Sequence, residues 1–271
     1  MIYTDCHLHS SFSIDSKAPL ESMVKRGFEL GLQTMCITEH SDYDYPENSE
    51  GLDFLLDFDA YKNELFRLKE LYAPKIELLF GIEMGLMPYL GPRYKEIATA
   101  YPFDFIIGSS HLVEGIDPYE PEYYERYGSK QGLLKYFESI YNNITTPDMV
   151  DFDVYGHLDY AVRYAPEKNT FFNFSDYQEI IDEILKLLIR KDKGIEVNAS
   201  GYKAGLGVPN PHPDILRRYK ELGGEILTIG SDAHMPEHMA YDYEKLYQLL
   251  LSLNIKSYTI FRNRKPVEIT L

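Results

Sequence analysis

Basic residues are scarce in this chain. Lys and Arg total 27 against 43 Asp and Glu in 271 residues, a formal charge of −16. Affinity for a nucleic-acid backbone comes mainly from Lys and Arg neutralising phosphates, so a general nucleic-acid binder is not expected. A local basic pocket for one small phosphate remains compatible with that balance. Cysteine is scarcer still. Cys6 and Cys36 are too few for a disulfide framework. Both fall in apolar runs and are expected as reduced, buried thiols. No run approaches the roughly 18 apolar residues that a membrane span needs, and residues 2–10 carry no targeting segment. A cytoplasmic setting is the expectation. No Pro/Gly-rich linker, internal repeat or low-complexity tract divides the sequence, so residues 1–271 are expected to form a single domain.

Short apolar runs alternate with longer amphipathic ones. The runs at 2–6, 34–38, 77–81, 105–108, 153–156, 194–197, 226–230 and 257–261 read as strands. Segments 20–30, 61–71, 177–189 and 243–253 carry apolar residues at helical spacing. Repeated strand–helix alternation implies a mainly parallel α/β sheet, closed into one barrel, with a doubly wound open sheet as the alternative. The stretches 41–52, 114–127 and 199–213 read as long loops that follow strands. That is the side where barrel active sites are built.

Of eight histidines, six fall at or just beyond a predicted strand end: His7, His9, His40, His111, His157 and His234. Asp5, Asp15, Glu39, Glu83, Asp159 and Asp232 occupy comparable places. Strand C-termini of a parallel barrel open on one face, so these groups should converge. His7 and His9 are two apart and would point the same way along a strand; Asp232 and His234 repeat that spacing. Imidazole and carboxylate without thiolate suit zinc, manganese or iron. The number of donors exceeds the four that one tetrahedral ion takes, so two or three metals are expected. His212, in a Pro-flanked turn, and His238, near a helix start, read as surface residues.

At these positions the sequence resembles the PHP (polymerase and histidinol phosphatase) family. The matching segments are Asp5 to His9, Thr38 to His40, Gly81 to Glu83, Gly108 to His111, Gly156 to Asp159 and Ser231 to His234, in the family's order. The resemblance is to the free-standing histidinol-phosphate phosphatases. It implies a distorted (β/α)7 TIM-like barrel, with the eighth predicted strand peripheral. It implies three divalent metal ions: His7, His9, Glu83 and Asp232 on the first; Glu83, His111 and His157 on the second; Asp15, His40 and His234 on the third. Asp15 stands where the family often has His, an oxygen ligand that could change the metal preference there. The implied chemistry is hydrolysis of L-histidinol phosphate by a hydroxide bridging two metals, with Asp232 or a His234-linked water protonating the leaving alkoxide. Arg163, and next Lys203, are candidates to grip the phosphate. Asp42, Tyr43 and Glu114 are candidates for the amine and imidazole of the substrate. Two other readings stay open: action on a different small phosphate or on nucleic-acid ends, and a metal-dependent structural or regulatory domain.

Overall fold

A computed structural model describes residues 1–46, 54–168 and 172–271. The strands are β1 (Thr4–Asp5), β2 (Thr34–Ile37), β3 (His40–Ser41), β4 (Glu77–Gly85), β5 (Phe105–Ser109), β6 (Val154–Tyr155), β7 (Gly194–Asn198), β8 (Leu227–Gly230), β9 (Ser257–Arg262) and β10 (Lys265–Thr270). The α-helices are α1 (Leu20–Glu29), α2 (Phe58–Tyr72), α3 (Gly91–Ala100), α4 (Pro121–Thr145), α5 (Gln178–Arg190), α6 (Ser200–Lys203), α7 (Pro213–Glu221) and α8 (Tyr243–Ser252).

Strands β1, β2, β4, β5, β6, β7 and β8 are parallel neighbours in that order. β3 resumes the lane of β2 and pairs His40 with Glu83. The ends of the sheet then meet. Cys6 N–H donates to the Ile229 carbonyl at 2.9 Å, Asp232 N–H to His7 at 2.8 Å and His9 N–H to Ala233 at 3.0 Å. The result is the expected seven-stranded barrel, distorted because β1 and β6 are only two residues long.

Strand residues are buried on both faces, which is why they read as continuous apolar runs. The helices bury one stripe each. In α1 it is Leu20, Met23, Val24 and Gly27; in α5 it is Ile181, Ile184, Leu185 and Leu188. Each such aliphatic side chain contributes about 1.5–3 kcal/mol of burial.

The eighth predicted strand, β9, leaves the barrel and pairs antiparallel with β10. Their hairpin lies across the N-terminal ends of the barrel strands. Arg262 pairs with Glu77 and Arg264 with Asp153, both at 2.6 Å, and Phe261 stacks on Phe105. This closes the end of the barrel opposite the histidines. Two loop expectations are corrected. The 114–127 stretch is a tight turn followed by α4, which starts at Pro121. The 199–213 stretch contains the short α6. Of the 41–52 loop, residues 47–52 lie outside the described residues.

Candidate metal centre

Glu83 sits inside β4, two residues beyond where the apolar run ends, and is fully buried. Five rings from four other segments surround it. Its Oε2 lies 3.0 Å from His7 Nε2, 3.5 Å from His9 Nε2 and 3.1 Å from His40 Nδ1. Its Oε1 lies 3.0 Å from His157 Nε2 and 3.3 Å from His111 Nε2, and accepts from Ser109 Oγ at 2.6 Å. Asp232 Oδ1 is 3.5 Å from His9 Nε2 and 3.8 Å from His7 Nε2. Asp15 Oδ2 lies 3.0 Å from His234 Nε2 and 3.6 Å from His40 Nε2. The structure thus brings all nine sequence candidates for metal ligation onto one barrel mouth.

Hydrogen bonds behind the rings decide which nitrogens face inward. His7 Nδ1 lies 2.6 Å from Glu196 Oε1, and His111 Nδ1 lies 2.7 Å from Asp42 Oδ1. His234 Nδ1 lies 3.1 Å from the Asp232 carbonyl. An ionised carboxylate or a carbonyl can only accept, so each of these Nδ1 atoms carries a proton and Nε2 is the atom left to ligate a metal ion. His9 Nε2 is buried and has no hydrogen-bond partner among the described residues. Inward lone pairs beside buried carboxylates are the donor set a divalent cation requires.

Without such a cation, protons must balance the charge. Burial alone would lower the His7 pKa; Glu196, Glu83 and Asp232 outweigh it and hold the ring well above its ordinary value. Burial also opposes protonation of His111, but Asp42 and Glu83 push it up to about 10. For Glu83 the balance is reversed. Burial would raise it, and the rings of His7, His111 and His40 hold it well below the usual carboxylate range.

The centre floors a cavity of about 460 Å³, whose walls include Asp117, Tyr160, Arg163 and Lys203. Arg163 is buried. Its Nη1 donates to Asp232 Oδ2 at 2.9 Å and its Nε to Asn210 Oδ1 at 2.8 Å, while Nη2 has no partner among the described residues. Lys203 Nζ is 3.3 Å from His238 Nδ1 at the rim. His212, only partly buried, caps α7 away from the centre.

Of the three substrate candidates, Tyr43 and Glu114 lie away from the cavity. Asp42 lines the cavity, and its carboxylate also holds His111 and approaches His40 Nδ1 at 3.5 Å. Tyr43 turns outward under the Arg93 guanidinium. Glu114 pairs with Lys135 and Tyr127 on the surface. A bridge between Val113 and Ile116 closes a turn there, with Glu114 at φ 51° and Gly115 at φ 81°. That turn points the side chain away. Asp117, three residues on, does reach the cavity, accepting from Tyr45 Oη at 2.6 Å and Tyr160 Oη at 3.2 Å. Glu114→Gln and Tyr43→Phe are therefore expected to leave kcat/KM within about twofold, as for substitutions that touch no site group. A tenfold loss in either variant would return these residues to the site.

Glu196 is a site residue that sequence reading passed over. A lone carboxylate in an otherwise apolar strand was its signal. Gly230 on β8 makes room for it: a Cβ there would collide with both His7 and Glu196.

Comparison with known proteins adds an independent observation. The PHP domain profile matches residues 5–200. A probable histidinol-phosphatase of Clostridium acetobutylicum is 31% identical over 252 residues, covering 93% of this chain and 94% of that protein. The chain belongs to the PHP family. Other relatives match nearly its whole length. The histidinol-phosphatase of Lactococcus lactis is 29% identical over 262 residues, 96% of this chain and 95% of its own. The crystal structure of the histidinol phosphate phosphatase from that organism, complexed with zinc, L-histidinol and phosphate, superposes with a TM-score of 0.88. It is 28% identical and covers 98% of both chains. A crystal structure from Listeria monocytogenes shares the fold at a TM-score of 0.77 and 20% identity, covering 89% of this chain and 99% of that one.

Proposed function

We propose that this PHP protein hydrolyses L-histidinol phosphate to L-histidinol and inorganic phosphate, a step of histidine biosynthesis. The observation that carries the reading is the convergence of six imidazoles with the carboxylates of Glu83, Asp15 and Asp232 on the floor of a cavity that Arg163 and Lys203 enter. Similarity over nearly full length to a phosphatase holding zinc, histidinol and phosphate supports the choice of substrate.

The donor set fits divalent metal ions. We assign His7, His9, Glu83 and Asp232 to one ion, Glu83, His111 and His157 to a second, and Asp15, His40 and His234 to a third. Zinc, manganese or iron suits such ligands. When bound, the ions supply Lewis acidity, lowering the pKa of a water and neutralising charge on the phosphoryl oxygens.

The chain's own residues complete the arrangement. Arg163 has one free N–H face, on Nη2, for a phosphate oxygen while its other nitrogens hold Asp232 and Asn210. Lys203 adds charge at the rim. Asp117, backed by Tyr45 and Tyr160, gives the acidic and aromatic wall that a cationic amine and an imidazole need. Of the two groups considered for protonating the leaving alkoxide, Asp232 is the poorer donor. Burial would raise its pKa, but His7, His9, Arg163 and His234 hold it well below the carboxylate range. We therefore place that proton on the His234 side, which is partly open to the cavity. The buried free thiols Cys6 and Cys36 fit a reducing compartment, and we place the protein in the cytoplasm. No helix among the described residues is long and apolar enough to cross a membrane.

The deciding experiment compares substrates on zinc- or manganese-replete protein. Histidinol phosphate should exceed nucleoside monophosphates and single-stranded DNA ends in kcat/KM; equal turnover of DNA ends would overturn the assignment. Arg163→Ala should lower kcat/KM for histidinol phosphate by about tenfold to over a hundredfold, the loss of a charge-assisted contact of roughly 1.5–3 kcal/mol. Arg163→Lys should recover only part, because an ammonium lacks the planar fork that serves Asp232 and phosphate together. Wild-type kinetics in Arg163→Ala would leave Lys203 as the phosphate contact.

A further inference from the structure

We propose that Glu39 is a positioning residue which, through Ser13, fixes His9 in the tautomer that presents a bare Nε2 to a divalent metal ion. The inference rests on the reading of His9 as a ligand, and it follows from counting protons.

Glu39 lies between β2 and β3, fully buried. Its Oε2 accepts from Ser13 Oγ at 2.5 Å and from Ser10 N–H at 2.9 Å, and its Oε1 accepts from Ser10 Oγ at 2.5 Å. A serine hydroxyl has one proton and two lone pairs. The Ser13 proton goes to Glu39. One lone pair accepts the His40 backbone N–H at 2.9 Å. The other faces His9 Nδ1 at 3.2 Å. A hydroxyl whose proton is engaged elsewhere can only accept, so His9 Nδ1 must carry the ring proton. His9 Nε2 is then the unprotonated nitrogen. It is the atom buried without a hydrogen-bond partner among the described residues, 3.5 Å from both Glu83 Oε2 and Asp232 Oδ1.

Without an acceptor at position 39, the Ser13 proton is released toward His9 Nδ1. The ring proton moves to Nε2 and blocks the inward lone pair. A glutamine at 39 preserves the arrangement: its amide oxygen takes the place of Oε2, and its NH2 donates to Ser10 Oγ, whose own proton is free to turn away. What the device needs is an acceptor, not a charge.

The test uses histidine-labelled protein with ¹⁵N shifts of His9 read after zinc is stripped, together with zinc affinity measured by competition with a chromophoric chelator. Wild type and Glu39→Gln should show His9 protonated at Nδ1 and bind zinc alike. Glu39→Leu should show the Nε2-protonated form and lose about 10- to 100-fold in zinc affinity, the range for removing a partner behind a metal ligand. If Glu39→Leu does not fold, Ser13→Ala removes the same acceptor beside His9 and should lose affinity equally. The proposal is overturned if Glu39→Leu or Ser13→Ala binds zinc as wild type does. It is also overturned if Glu39→Gln falls as far as Glu39→Leu, since charge would then be the operative property. Wild-type protein that binds no zinc would sink the functional reading instead, and the ¹⁵N shifts would still decide the tautomer.

Discussion

Glu83→Gln is expected to lose both bound metal and nearly all phosphatase activity. The carboxylate approaches five imidazoles within 3.5 Å. Glutamine keeps the size and removes the charge. Its NH2 would also point a proton at rings that are there to present lone pairs. Breaking a buried charge arrangement by removing one partner costs about 3–5 kcal/mol. That corresponds to roughly two to nearly four orders of magnitude in metal affinity or kcat/KM. Elemental analysis paired with kinetics checks it. Full activity with at most one metal per chain in the wild type, or a Glu83→Gln variant with normal metal content, would sink the multinuclear assignment.

Stripping the metal from wild-type protein is expected to abolish turnover and to lower Tm. A ligand present at about 1,000 times its Kd stabilises by about 4 kcal/mol. For a domain of this size each kcal/mol is worth roughly 2–4 °C, so the shift should be about 8–16 °C. Metal binding should also depend on pH, with a definite sign. Against the opposing effect of burial, the neighbouring carboxylates hold His7, His40 and His111 protonated at neutral pH when no cation is bound. Zinc must displace those protons, so its apparent affinity should rise with pH and binding should release protons. Calorimetry in buffers of different ionisation enthalpy reads the number released. Affinity that stays flat between about pH 6 and 8 would show that the rings are already neutral.

The barrel was legible because its strands, buried on both faces, leave continuous apolar runs, and because turn residues separate them. The donors were legible for the same topological reason: a histidine just past such a run has one place to go. Elements whose pattern is polar or interrupted were not legible. Helix α4 begins Pro121-Glu122-Tyr123 and passes through Gly128 at φ 67°, a break in its periodicity. The substrate wall failed for a different reason. Tyr43 and Glu114 lie next to ligands in sequence, yet the chain reverses within two or three residues of a strand end, so adjacency there carries no information about direction. Glu196 acts from behind the ligands, where an isolated polar residue in an apolar run gives only a faint sign, and Ser13 is one of several serines in a polar stretch.

The first centre residue is His7 and the last is His234, carried by strands that meet only when the barrel closes. Contacts of such sequence separation are entropically expensive to form and slow the search for the native state. A nascent chain lacks the complete proposed ligand set until β8 has been made: the third proposed ion lacks His234, and the first lacks Asp232. The hairpin that seals the opposite end comes later still. With the proposed ligands, the full centre would thus be completed only at the end of folding, when β8 closes the barrel.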